Sequence, residues 1–265
     1  MKNIYLAFII FFVNGVYSQN YFEGKNLYCI SDNPEANRLF DLGVEVLHLD
    51  SKSRRIKENH LVFLKAINQD TTFCDAFFFA GYTLRLQNKL DEAVAYYYMA
   101  DSLAQNRSSE FKVNLAFACA MTNRITLSRK KYNELVAFFP ENPEGYYGIA
   151  LTSTIIGDIE NGLKNINVAI KKYELLNKKI TAEVNYLKGV LLTLNSQYNE
   201  AIPFFEKSFS SFKNDDNYNM YYSLSLLKVS ETQKDEKKRK SAEKLFNKII
   251  NKSDIPTEIK NQLIF

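Results

Sequence analysis

Apolar residues along the chain recur at spacings of three and four, as in Leu39, Leu42 and Val46 near the start and Leu245, Phe246 and Ile249 near the end. That spacing puts them on one face of a helix. Past residue 33 there is no clear alternation of apolar and polar positions, so the pattern predicts helix after helix. A second, longer period is carried by small residues paired twelve apart: Gly81 with Ala93, Ala116 with Ser128, Ala150 with Gly162, Gly189 with Ala201. Between the members stand Asn88, Asn123, Gly157 and Asn195, residue types that end a helix in the left-handed conformation. Two antiparallel helices joined by a tight turn come closest where both side chains are small. Four residues after each second small residue comes a large one, Tyr97, Tyr132, Ile166 or Phe205, and three further on Ala100, Leu135, Ala169 or Ser208. One hairpin cannot bury such a face alone, so hairpins must stack on one another.

A period near 34 residues with small, small, aromatic and small landmarks at these offsets resembles the tetratricopeptide repeat family. Phe77, Gly81, Ala93, Tyr97 and Ala100 give the fullest match, with Asn88 to Ala93 as turn and second-helix start. Tyr146, Ala150, Gly162, Ile166 and Ala169 follow, then Gly189, Ala201, Phe205 and Ser208; Ala116, Ser128, Tyr132 and Leu135 form a repeat ending at Pro140. The resemblance implies an all-α, right-handed solenoid of antiparallel helix pairs. About six repeats would occupy residues 34–252, with a C-terminal capping helix over 253–265 and residues 19–33 as a tail or edge segment. Gly43 with Phe63 and Ala66 begins the array. Ser223 with Ala242, Phe246 and Ile249 closes it, its extra residues assigned to the charged stretch Lys234 to Lys240. The first-helix aromatic of the family is replaced by Lys112, Asn185 and Asn219.

Composition narrows the class. The chain has 265 residues, 46% hydrophobic, with 34 Lys+Arg against 30 Asp+Glu. That is too apolar for a disordered chain and too evenly charged for a polyanion-binding tail. The first 18 residues read as a signal peptide: Lys2, the apolar run Ile4 to Val13, the break at Asn14-Gly15 and Ser18 before a cut. Ten apolar residues span roughly 15 Å as a helix, half of a ~30 Å hydrocarbon core, so the run is too short for an anchor. Cys29 lies too far downstream for lipid attachment. The mature chain, at a net charge of about +3, is therefore expected in the periplasm or secreted, with no transmembrane anchor and no nucleic-acid partner.

Three cysteines allow one disulfide. Cys29 with Cys74 is the only pair to entertain, weighed below free thiols, and Cys119 reads as a small buried hydrophobe within a helix. No Cys-x-x-Cys, His-Glu-x-x-His, nucleophile elbow or phosphate-cradling loop occurs, so no metal, no cofactor and no catalytic residue is expected. His48 and His60 sit on the two helices of the first hairpin, as facing ligands or, the plainer account, as separate surface groups. The basic run around Lys234 to Lys240 is read as a solvated inter-helix extension. Lysines on second helices, Lys130, Lys131, Lys171, Lys172, Lys178 and Lys179, predict a basic convex face.

What remains is a binding scaffold. In the family the first helix of each repeat lines the concave face through residues three before and one after the small landmark. Carried onto this chain, these are Phe78 and Tyr82, Val113 and Phe117, Tyr147 and Leu151, Tyr186 and Val190; Met220 and Leu224 extend the series in the sixth repeat. All are apolar or aromatic, unlike the carboxylate-reading Lys, Arg and Asn clamp of some relatives. They would form a groove for a protein or peptide partner, or meet each other in a tight superhelix. One turn earlier stand Asp75, Glu110, Glu144 and Glu183, an acidic rim or simply carboxylates favoured by helix N-termini. The competing expectation is an assembly component, or homo-oligomer, that uses the repeat ends.

Overall fold

The computed structural model describes residues 27–49 and 55–265; the expected signal peptide and residues 19–26 lie outside the described residues. The described residues form two compact units, one ending at Gly145 and one running from Tyr146 to Phe265. The first holds α1 (Pro34–Leu49), α2 (Ile56–Gln69), α3 (Cys74–Leu86), α4 (Leu90–Ala104), α5 (Ser109–Met121) and α6 (Ile125–Phe138). Within α7 (Pro143–Ile156) the second unit begins. It continues through α8 (Ile159–Leu175), α9 (Ala182–Leu194), α10 (Tyr198–Phe212), α11 (Asp216–Gln233), α12 (Glu236–Phe246), a 3-10 turn (Lys252–Asp254) and α13 (Thr257–Lys260). No strand occurs among the described residues. In each unit consecutive helices pair as hairpins and each hairpin packs on the next, the architecture of a helical-repeat solenoid.

The small landmarks sit where the helices cross. A Cβ built on Gly81 would stand 2.9 Å from the Tyr97 ring and 3.3 Å from the Ala93 carbonyl oxygen, and one on Gly43 would stand 2.6 Å from the Phe63 ring. The aromatic residue of the second helix thus lies over the small residue of the first. Where the landmark is serine, its hydroxyl uses the close approach. Ser128 Oγ donates to the Ala116 carbonyl and Ser223 Oγ to the Ala242 carbonyl, each at 2.8 Å. Tyr97, Tyr132, Ile166 and Phe205 are all buried, as are Ala100, Leu135, Ala169 and Ser208.

Three of the four expected helix stoppers, Asn88, Asn123 and Gly157, have positive φ. The fourth differs: Asn195 stays at φ −89° and Ser196 takes the left-handed position at φ 60°. The sixth hairpin also departs from expectation. Lys234 to Lys240 does not loop out; α11 runs on for 18 residues where α3, α5 and α9 have 13, Lys234 makes the turn, and Asp235 caps α12 by accepting from the Lys237 and Lys238 amides. The extra residues lengthen the hairpin because both their backbone and their caps are satisfied as helix.

Polar residues at the family's aromatic position are buried. Lys112, 1% exposed, places Nζ 2.9 Å from Asp101 Oδ1 on α4 and 2.9 Å from Glu134 Oε2 on α6. Lys131 completes the cluster at 2.7 Å from Asp101 and 2.9 Å from Glu134, so it belongs to a buried ion network and not to a basic convex face. Burial works against the Lys131 ammonium, but hydrogen bonds and charge from Asp101 and Glu134 outweigh it and raise its pKa. Burial likewise disfavours the Glu134 carboxylate, and the two lysines reverse that, holding its pKa below the usual range. At the C-terminus Ile255, Ile259 and Leu263 join the core of the second unit, and Phe265 packs on Phe246 at 5.2 Å between ring centres.

Candidate functional site: the first-helix face and a disulfide-held strap

The segment from Leu27 to Asn33 is an irregular, bent strap across the N-terminal ends of α3 and α5. Cys29 is disulfide-bonded to Cys74, the first residue of α3, with a Cα–Cα distance of 5.5 Å. The one pairing that the cysteine positions allowed to be entertained is therefore formed. The Cys29 amide donates to Asp75 Oδ2 at 2.7 Å, and the Tyr28 hydroxyl donates to Glu110 Oε2 while its ring meets Phe111 edge-on at 5.2 Å. Burial first, then the Glu110 carboxylate, push the Tyr28 hydroxyl well above its usual range, so it remains a donor. Ser31 Oγ donates to Asp70, and Asn37 Nδ2 returns a bond to the Ser31 carbonyl.

This strap alters the reading of the acidic rim. Asp75 is fully buried beneath it and Glu110 is half-buried against it, so these two carboxylates hold the chain's own segment. They are not an open rim, because the strap brings the Cys29 amide and the Tyr28 hydroxyl, the donors that a buried carboxylate needs. Glu144 and Glu183 are half-buried at the corresponding positions of α7 and α9.

The concave-face series divides in the same way. Six of the eight residues, Phe78, Tyr82, Val113, Leu151, Tyr186 and Val190, are buried; Phe117 and Tyr147 are half-buried. Phe78 stacks on Phe111 of the next hairpin at 4.6 Å and tilts against Tyr97 at 5.6 Å. Tyr186 meets Phe212 at 4.7 Å and Tyr218 at 5.5 Å. These rings reach between hairpins into the interior, where large aromatics bury most area. Met220 and Leu224 are buried too.

The remaining candidates settle plainly. His60 turns its Nδ1 toward Ala80 O (3.2 Å) and Thr83 Oγ1 (3.0 Å) on α3, and burial lowers its pKa; His48 is exposed. Cys119 is a buried free thiol whose pKa burial pushes up to about 11, which leaves it unreactive. Among the described residues Cys29, Cys74 and Asp75 are the one group with metal-ligand spacing, and the disulfide removes both thiolates as ligands. No helix of the described residues is long and apolar enough to cross a membrane.

No family model matches the sequence, and no curated protein matches it either. Solved structures do match in fold. The Cut9–Hcn1 hetero-tetramer of the APC/C has a chain that superposes with a TM-score of 0.64 at 16% identity, over 88% of this chain and 43% of that one. This chain thus spans under half of that relative's length. PilW, a widely conserved type IV pilus biogenesis factor, gives 0.60 at 14% identity over 88% of this chain and all of its own. YrrB, a tetratricopeptide-repeat protein with an unusual peptide-binding site, gives 0.50 at 15% identity over 74% and 94%. Identities this low speak to the fold and not to the partner.

Proposed function

We propose that this chain, a tetratricopeptide-repeat solenoid by fold, is a non-catalytic scaffold that holds a polypeptide partner and works outside the cytoplasm. The strap is the observation that carries this reading. A non-helical segment already lies across the first-helix ends of two hairpins, fixed by its own amide and hydroxyl donors to Asp75 and Glu110. Within the second unit α9 presents the half-buried Glu183 at the corresponding place of its first turn, for a partner segment that binds in the same manner. The disulfide supports an oxidising compartment, in keeping with the signal-peptide pattern of the first 18 residues. Likeness in fold to tetratricopeptide-repeat proteins such as YrrB supports a protein-interaction scaffold in general.

Affinity capture from the source organism's envelope and culture fluid tests the reading, with Phe117→Ser and Tyr147→Ser variants run beside the unmodified chain after their helical content is checked. A protein retained by the unmodified chain and lost by either variant is the expected result. Equal retention by all three would move binding off the first-helix face. A second reading, end-to-end assembly, is favoured by Ile250 and Ile264, which are 83% and 73% exposed near the C-terminus. It predicts concentration-dependent self-association in sedimentation, abolished by Ile250→Asp with Ile264→Asp.

A further inference from the structure

The second unit carries an open cleft of about 370 Å³, lined by none of the first-helix series residues and walled by α10, α11 and α12 with the turn that follows α12. Its floor is apolar: Tyr222 and Leu226 from α11, and Leu245 from α12. Tyr222 stacks on Phe205 at 5.2 Å and is held by it, while Phe209 on the α10 wall is 38% exposed. Such a floor attracts a large apolar side chain, since covering it removes aromatic and aliphatic area from water.

The rim has a definite sign. Lys244 and Lys248 line the cleft, and Lys237 and Lys240 continue the same side of α12 at helical spacing, all exposed. Among the described residues none of these four is in an ion pair. Lys248 instead lies 5.7 Å over the exposed Phe209 ring. Against them the cleft has a single carboxylate, Glu206, on the opposite wall. Burial, then the Glu206 charge, push the Tyr222 hydroxyl up to about 12, so the floor offers a donor and not an anion. An apolar base, unpaired cations on one wall and one acceptor on the other form a complementary set.

We propose that this cleft binds a polypeptide segment in which a large apolar residue is flanked by Asp or Glu. The apolar side chain enters over Tyr222, Leu226 and Leu245, the carboxylate meets Lys244 and Lys248, and a backbone amide of the segment donates to Glu206. The cleft is open to solvent and not a closed cavity, which suits a segment of chain lying in it. The proposal rests on the reading of the protein as a polypeptide-binding scaffold, and adds to it a second surface with a stated chemistry.

The test is selection of random phage-displayed peptides on the purified full chain, followed by titration of the selected synthetic peptides against that chain and against Lys244→Glu/Lys248→Glu. Both lysines are exposed, so the variant is expected to keep its circular dichroism and thermal midpoint. Enrichment of apolar residues next to Asp or Glu, binding that weakens with salt, and an affinity about tenfold lower in the variant would support the proposal. A second variant, Leu226→Asp, once its circular dichroism is shown unchanged, should lose the same peptides by closing the floor to apolar groups. Selected peptides that bind the lysine variant equally well would overturn the cleft while leaving the scaffold reading standing. Failure to select any peptide, or tight binding of dodecanoate that the lysine variant loses with no peptide selected, would also overturn the cleft as a peptide site. Failure of the envelope capture above, read separately, is what would count against the scaffold.

Discussion

Gly81 shows how much one residue decides here. Its helix passes so close to α4 that a Cβ would stand 2.9 Å from the Tyr97 ring, with the Ala93 carbonyl just behind. Gly81→Trp is therefore expected to destabilise the protein by about 3 kcal/mol through overpacking, read as a lower denaturation midpoint at unchanged slope. Gly157 is the contrasting case. Nothing stands within 4 Å of a Cβ there, but φ is +79°, so Gly157→Ala should cost only the left-handed penalty of about 1–2 kcal/mol. Lys112 is the residue where local preference and packing disagree most. It occupies a position that aromatic residues fill elsewhere, and Asp101 and Glu134 hold it from the two flanking helices. Lys112→Ala leaves a buried carboxylate cluster short of a cation, and a loss of about 3–5 kcal/mol is expected in chemical denaturation. The same network gives a pH dependence. Glu134 has a folded pKa below its unfolded value, so its contribution is present at neutral pH and is lost as pH falls through the carboxylate range and then through that lowered pKa. Glu134→Gln should flatten the acid side of the stability profile.

At the scale of elements, the strap and the sixth hairpin carry the departures from regularity. The Cys29–Cys74 bond closes a sequence separation of 45 residues, which by loop-closure entropy corresponds to about 4 kcal/mol. Paired Cys29→Ser and Cys74→Ser replacement, or a reducing agent, should lower the thermal midpoint and release the Tyr28 and Cys29 contacts. Unchanged unfolding with and without reductant would show that the strap holds by its hydrogen bonds alone. The cysteine positions permitted this pairing without demanding it. Two thiols 45 residues apart meet only because the strap's donors find Asp75 and Glu110, and sequence spacing says nothing of where an irregular segment lies. In the sixth hairpin, the charge density of Lys234 to Lys240 pointed to a loop, yet Asp235 at the N-cap and lysines along an exposed face make a sound helix start. Charge alone does not separate a solvated loop from a solvated helix face.

Across the whole molecule, the residues that follow α12 are packed and not a loose tail. Ile255, Ile259 and Leu263 are buried in the core of the second unit. Deleting residues 255–265 should expose the face of α11 and α12, lower the thermal midpoint, and drive self-association visible in sedimentation velocity.

The repeat itself was legible in the chain. Spacing of three and four, small residues twelve apart and large ones four beyond them follow from helix geometry and closest approach, which are local and repeat with the sequence. The burial of Tyr97, Tyr132, Ile166 and Phe205 follows from the same rules. The tertiary structure decided what the residues on the other side of each first helix do. Phe78 and Tyr186 stand at positions that line an open groove or fill a closed one, and only the distance to Phe111 and Phe212 on following helices chooses between these. Asp75 was readable as an acid near a helix start, but its burial under the strap depends on a partner 46 residues away. Local pattern fixes which face of a helix is apolar; what that face meets is set by how neighbouring hairpins and the strap pack, and that is a property of contacts distant in sequence.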